Sequence, residues 1–186
     1  MAKNSGQTRS ITPESKYASE SYAHYKKDYE KKPVVASWYD PSGGYWIEQE
    51  GHVHHNDENE AASFLAADRF RVILQPEDSR GVSLRLSKAG DPLYPEGKIS
   101  KAWYEQFTPD VKKGDHSKDV VQALSHAHHK GAYVAVLYDK HGQLNVSDVE
   151  RGISRYKGKK FKGERSKLAL ITINREGEIH EWFTDE

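Results

Sequence analysis

The run Ala132–Asp139, AYVAVLYD, carries a single charged residue, at its end. A segment with no polar face suits a central strand covered on both sides. The fifteen residues before it, SKDVVQALSHAHHKG, have the opposite character. Val120, Leu124 and Ala127 recur at helical spacing, with Val121 and His128 beside them, and Gly131 closes the helix. A buried strand fed by an amphipathic helix demands a layered fold, with helices on the faces of a sheet. The pattern then repeats. SDVERGISRY places Ser147 and Glu150 in capping-box spacing and gathers Val149, Ile153 and Tyr156 on one face. KLALITI and EIHEWF follow as two strands that turn at Arg175–Gly177.

The first half reads in the same way. Residues 1–32 are rich in Ser, Lys and Tyr without sustained period, an arm with a short helix around Tyr17–Lys31. VVASWYD and YWIEQE flank a Pro-Ser-Gly-Gly turn and predict a hairpin, with strands Val34–Tyr39 and Tyr45–Gln49. NDENEAASFLAADRF is a helix by Ala61, Phe64, Leu65 and Asp68, with Asp57 as its cap and Glu60 in capping-box position. FRVILQP is a strand stopped by Pro76. GVSLRLSK alternates as another, and Ile99–Thr108 follows a turn at Pro95–Gly97. The expected class is α/β, a mixed central sheet flanked by helices, with residues 1–50 as arm and hairpin and 51–186 as the main domain.

At 186 residues the chain is long enough to bury a core, yet its hydrophobic content is 35% and its mean hydropathy −0.90. Without cysteine it has no disulfides and no thiolate metal sites. No apolar run reaches the roughly 18 residues of a membrane span. The start, MAKNSGQTRS, lacks the apolar centre of a signal peptide, so a cytoplasmic site of action is expected. Twenty-eight basic residues balance 28 acidic ones, so overall charge selects no partner. Local charge does. RGISRYKGKKFKGERSK, residues 151–167, sets eight Lys and Arg against one Glu. Arg151, Arg155, Lys157, Lys159, Lys160 and Lys162 form a stripe suited to a phosphate backbone, or equally a solvated helix end.

The stretch PEGKISKAWYEQFTP carries two carboxylates, Glu96 and Glu105. Taken alone, Glu96 is a turn residue and Glu105 a solvent-facing strand residue. Two histidine groups, His52, His54 and His55, and His126, His128 and His129, offer imidazoles, but neither has a recognised zinc spacing. His128 falls on the apolar helix face and reads as a packed residue. No glycine-rich phosphate loop or nucleophile elbow is present.

The order of an acidic helix, ENEAASFLAADRFRVILQPE, then YPEGKISKAWYEQFTP, then VVQALSHAHHKGAYVAVLYDKHG resembles the PD-(D/E)XK nuclease superfamily over residues 51–186. More narrowly it is similar to the tRNA-nuclease domain at the C-terminus of CdiA contact-dependent inhibition toxins, also found in proteins of bacterial mobile elements. The resemblance implies a restriction-endonuclease-like core and a hydrolase of phosphodiester bonds, an endonuclease acting on tRNA. It implies Mg²⁺ or Mn²⁺ held by Glu60, Glu96 and Glu105, and a cognate immunity protein. In that chemistry the cation lowers the pKa of its water and neutralises charge on the phosphate. One position departs from the pattern. Phe107 stands where the motif has lysine, on the same strand face as Glu105. Lys98, near Glu96, and Lys101, about 13 Å of strand from Glu105, are candidate substitutes. Lys118 or Lys130 on the following helix could also reach across. The alternative is the same fold kept as a catalytically degenerate module that binds nucleic acid or protein, with the aromatic hairpin Trp38–Trp46 as a contact surface.

Overall fold

A computed structural model describes residues 16–31, 33–95, 100–108, 114–158 and 168–184, in two compact units, residues 1–101 and 102–186. In the first unit, helix α1 (Lys16–Lys31) precedes strands β1 (Val34–Tyr39) and β2 (Tyr45–Gln49). These two form the expected hairpin, with Trp38 opposite Trp46. The turn works because Asp40 accepts the Ser42 N–H at 2.8 Å and because residue 44 is glycine. A Cβ at 44 would lie 1.8 Å from the Ala66 carbonyl oxygen, so only a bare backbone fits against the end of the next helix. Tyr25 of α1 packs on Tyr39, Tyr45 and Ile47 in a small aromatic core. The Arg71 Nε donates to Ser21 at 2.9 Å and ties the helix to the sheet.

Helix α2 (Asn56–Ala67) carries the chain across to β3 (Phe70–Leu74), which runs parallel to β2. Strand β4 (Leu84–Lys88) adds antiparallel to β3. The start of α2 differs from the sequence reading. Its N-cap is His55, which makes no side-chain capping bond, and Asp57 lies inside the first turn with Glu58. Both acids there still favour the positive end of the helix dipole.

In the second unit β5 (Lys101–Gln106, its first residue closing the first unit), β6 (Val134–Tyr138) and β7 (Ala169–Ile173) run parallel, and β8 (Ile179–Phe183) is antiparallel to β7. Helices α3 (Ser117–His129) and α4 (Val146–Gly158) make the crossovers. Strand β6 is buried along its whole length, as its apolar sequence requires. The start of α4 is set two residues earlier than expected. Asn145 Oδ1 accepts the Asp148 N–H at 2.8 Å, while Asp148 Oδ2 accepts the Asn145 N–H at 3.2 Å, a reciprocal box. Ser147 instead accepts from the Arg151 guanidinium. The core joins Val120, Leu124 and Ala127 to Ala135, Leu137, Leu170, Val149, Ile153 and Tyr156. Gly152 lies where the two helices meet: a Cβ there would stand 2.5 Å from Val120 Cβ. The chain is of the α/β class, with helices packed on mixed parallel and antiparallel strands.

Candidate active site

Alternation along β5 puts Trp103, Glu105 and Phe107 on one face. In register they sit beside Ala135 and Leu137 of β6, then Leu170 and Thr172 of β7. The middle of this face is apolar core under α3 and α4. At β5 it carries a carboxylate. Glu105 Oε1 accepts from Trp103 Nε1 at 3.0 Å and forms a short contact with His126 Nδ1 from α3. The two side chains are 24% and 44% exposed, so water and solutes reach them. Just past the end of α3, at its C-cap, Lys130 holds its ammonium 5.4 Å from the Trp103 ring centroid. The cluster thus combines a carboxylate, an imidazole, an indole and an ammonium.

Phe107 belongs to the core instead. It is 2% exposed, its N–H donates to Tyr138 at 2.8 Å and its ring lies 5.2 Å from that of His116. Burying such a ring stabilises the fold by about 2–3 kcal/mol. The position that the resemblance gives to the motif lysine is therefore interior, and a lysine there would have to bury its charge. Lys101 is committed elsewhere, with Nζ 2.9 Å from Asp78. Asp78 loses some ionisation to burial, but the Val82 and Arg80 N–H groups and Lys101 outweigh it and bring its pKa down to about 2.

Glu60 lies half-buried on α2 in the first unit, whereas Glu105 is in the second. Glu96 and Lys98 lie outside the described residues, as do Lys159, Lys160 and Lys162. Among the described residues no three His, Asp or Glu side chains are grouped to hold a metal ion. Glu105 offers a divalent cation one carboxylate, already engaged by two nitrogen donors. Of the three carboxylates expected at such a centre, the described residues include Glu60 and Glu105, one in each unit. Arg151 and Arg155 are exposed on α4 but partly occupied: Arg151 pairs with Asp148 at 3.0 Å and Asp115 at 3.2 Å, and Arg155 donates to Ser117 at 2.7 Å. Lys157 is half-buried near the end of that helix.

No protein-family model matches the chain, and no curated protein matches it in sequence. One solved structure is similar: the CdiA-CT/CdiI toxin and immunity complex from Burkholderia pseudomallei. Identity is 16% and the TM-score 0.45, over 68% of this chain and 81% of that one. At that level of likeness neither chemistry nor partner passes from one chain to the other. No described helix is long and apolar enough to cross a membrane.

The first unit holds a second group of carboxylates and imidazoles. Buried Glu48 meets His54 Nδ1 at 2.8 Å and accepts from Asn59 at 3.0 Å. Glu58 meets His52 Nε2 at 2.6 Å, and His52 Nδ1 donates to the Gln75 carbonyl at 2.9 Å. Burial pushes the His52 pKa down, but the bonds to Glu58 and Gln75 and the nearby carboxylate charges outweigh it, so the pKa is raised. The bonds to Glu48 and Asn56 raise that of His54.

The partnership of Glu105 with His126 was not read from the sequence, although its parts were legible. Trp103 and Glu105 lie two apart on a strand, and His126 and Lys130 four apart on a helix, so each pair shares a face.

Proposed function

We propose that the chain is an RNA-cleaving domain of the toxin type, with Glu105 at its centre and tRNA as its substrate. The observation that carries this reading is the water-accessible Glu105–His126 pair, with the Lys130 ammonium over the Trp103 ring that donates to Glu105. Cleaving a phosphodiester requires a proton taken from the attacking oxygen and one given to the leaving oxygen. A carboxylate and an imidazole in contact hold the two groups that exchange such protons. The ammonium offers the charge that the motif lysine would bring, delivered from the end of α3 because position 107 is spent on the core. The family resemblance adds a divalent cation, with Glu105 among its ligands. It also adds a cytoplasmic place of action and an inhibitory immunity protein. The stripe from Arg151 to Lys162 is proposed to hold phosphates, in which case binding weakens steeply with salt.

The test is cleavage of total tRNA, with plasmid DNA alongside, by the wild type and Glu105→Ala in Mg²⁺, Mn²⁺ and EDTA. Loss of tRNA cleavage by about 100-fold or more in Glu105→Ala is expected. Activity that survives EDTA would remove the metal from the reading and leave Glu105 in place. The burial of Phe107 favours a second reading, a catalytically degenerate binder. Binding of tRNA at low salt without any cleavage would establish it.

A further inference from the structure

The helix-covered face of the second unit has an indole at each end of one row: Trp103, Ala135, Leu170 and Trp182 stand in register across β5 to β8. Trp103 serves the Glu105 cluster. Trp182 lies at the other end of the row. It packs partly on the core and donates its Nε1–H to Thr172 at 3.3 Å, which fixes the ring plane. It lines a cavity of about 300 Å³ between β7, β8 and the start of α4. Leu144 and Val149 give that cavity an apolar wall, and Asp139 and Asn145 add polar groups.

Asp139 is 3% exposed and accepts the N–H groups of Gln143 at 2.9 Å and Leu144 at 3.0 Å, one on each carboxylate oxygen. No cation pairs with it among the described residues. A carboxylate has about four acceptor sites, so each oxygen keeps one. Asn145 uses its Oδ1 to cap α4, and its Nδ2 donates to none of the described residues.

We infer that this cavity is a subsite for one unstacked guanine base of the RNA, an inference that rests on the RNA reading above. The volume is at the low end for ligand pockets and suits a single base with its backbone outside. A fixed indole and an aliphatic wall receive the two faces of a planar heterocycle, the usual way proteins take bases from single strands. The polar side selects among bases. Guanine presents two adjacent N–H donors, N1 and N2, which a carboxylate with two open acceptor sites matches. Adenine, cytosine and uracil lack that pair of donors.

Calorimetric titration of the full chain with GMP, AMP, CMP and UMP tests this without any cleavage step. GMP is expected to bind on the order of tenfold more tightly than the other three. Trp182→Leu is expected to lose on the order of tenfold or more, and Trp182→Phe to keep most of the affinity. Equal binding of all four nucleotides, no binding of GMP, or a folded Trp182→Leu that binds as the wild type would overturn the assignment. If Trp182→Leu does not fold, Asp139→Asn decides: the preference for GMP must disappear. The two readings fail separately. A wild type that cleaves no RNA while GMP is preferred removes the nuclease alone. Cleavage that depends on Glu105 without GMP preference removes the base subsite alone.

Discussion

Two of the glutamate–histidine pairs, Glu58 with His52 and Glu105 with His126, differ in access to water. His52 and Glu58 are 1% and 7% exposed; His126 and Glu105 are 44% and 24% exposed. In the first pair both imidazole nitrogens are taken, one by a carbonyl and one by the carboxylate. Nothing else can join it, and it acts as a fastening between the loop after β2 and the first turn of α2. In the second pair the imidazole uses one nitrogen and lies open. Contact between an acid and a base is common to both, so contact is not the mark of a site. Access is.

The contrast can be broken from several directions. The largest effect is expected from Phe107→Lys, two residues along the same face from Glu105. It removes a buried ring and inserts a charge, at a cost of about 4 kcal/mol or more. Urea denaturation measures this, and a variant as stable as the wild type would mean that the whole flank of β5 is open. Next, Glu58→Ala leaves a buried imidazole without its partner and should cost about 3 kcal/mol, whereas Glu105→Ala should cost less than about 1 kcal/mol. Equal losses in the two would erase the distinction.

The pH dependence follows with a smaller effect. The folded-state pKa of His52 is raised above 6.5, so its contribution is complete below that pH and is lost as pH rises through the raised value. Melting temperature should therefore fall on going from mildly acidic to alkaline buffer, and Glu58→Ala should flatten that slope. The smallest change is expected for Lys101→Ala. Its partly exposed bridge to Asp78 is worth at most about 1 kcal/mol. Asp78, with its pKa lowered to about 2, adds stability above 3.8 that is lost as pH falls toward 2. A loss of several kcal/mol in Lys101→Ala would show that water screens this part of the chain far less than its exposure implies.

The fold was largely legible because its signals are local. The hairpin around Pro41–Gly44, the helix through Phe64 and Leu65 and the buried strand Val134–Tyr138 each announce themselves within a dozen residues. Caps were less so. Asn145 and Asp148 make the same three-residue box as Ser147 and Glu150 would, and the choice depends on which acid is buried: Asp148 is 0% exposed. The partners of the candidate site were illegible for a different reason. Glu105 meets His126 across 21 residues, and Lys101 meets Asp78 across 23, so each pairing follows from the folded path of the chain. Phe107 showed the limit most plainly. Strand parity correctly puts it on the face of Glu105, but parity does not say where that face passes under a helix.

Gly152 has a mechanical consequence. With no side chain at that point, α3 and α4 close to a separation that Val120 and the Ser117 carbonyl would deny any other residue. Locked together, the two helices form a stiff spacer, with the Glu105 cluster on α3 at one flank and the Trp182 cavity at the start of α4 on the other. Under the two proposals above, a strand that lodged a base in the cavity would be measured off against this spacer, and the bond presented to Glu105 would be set by its length.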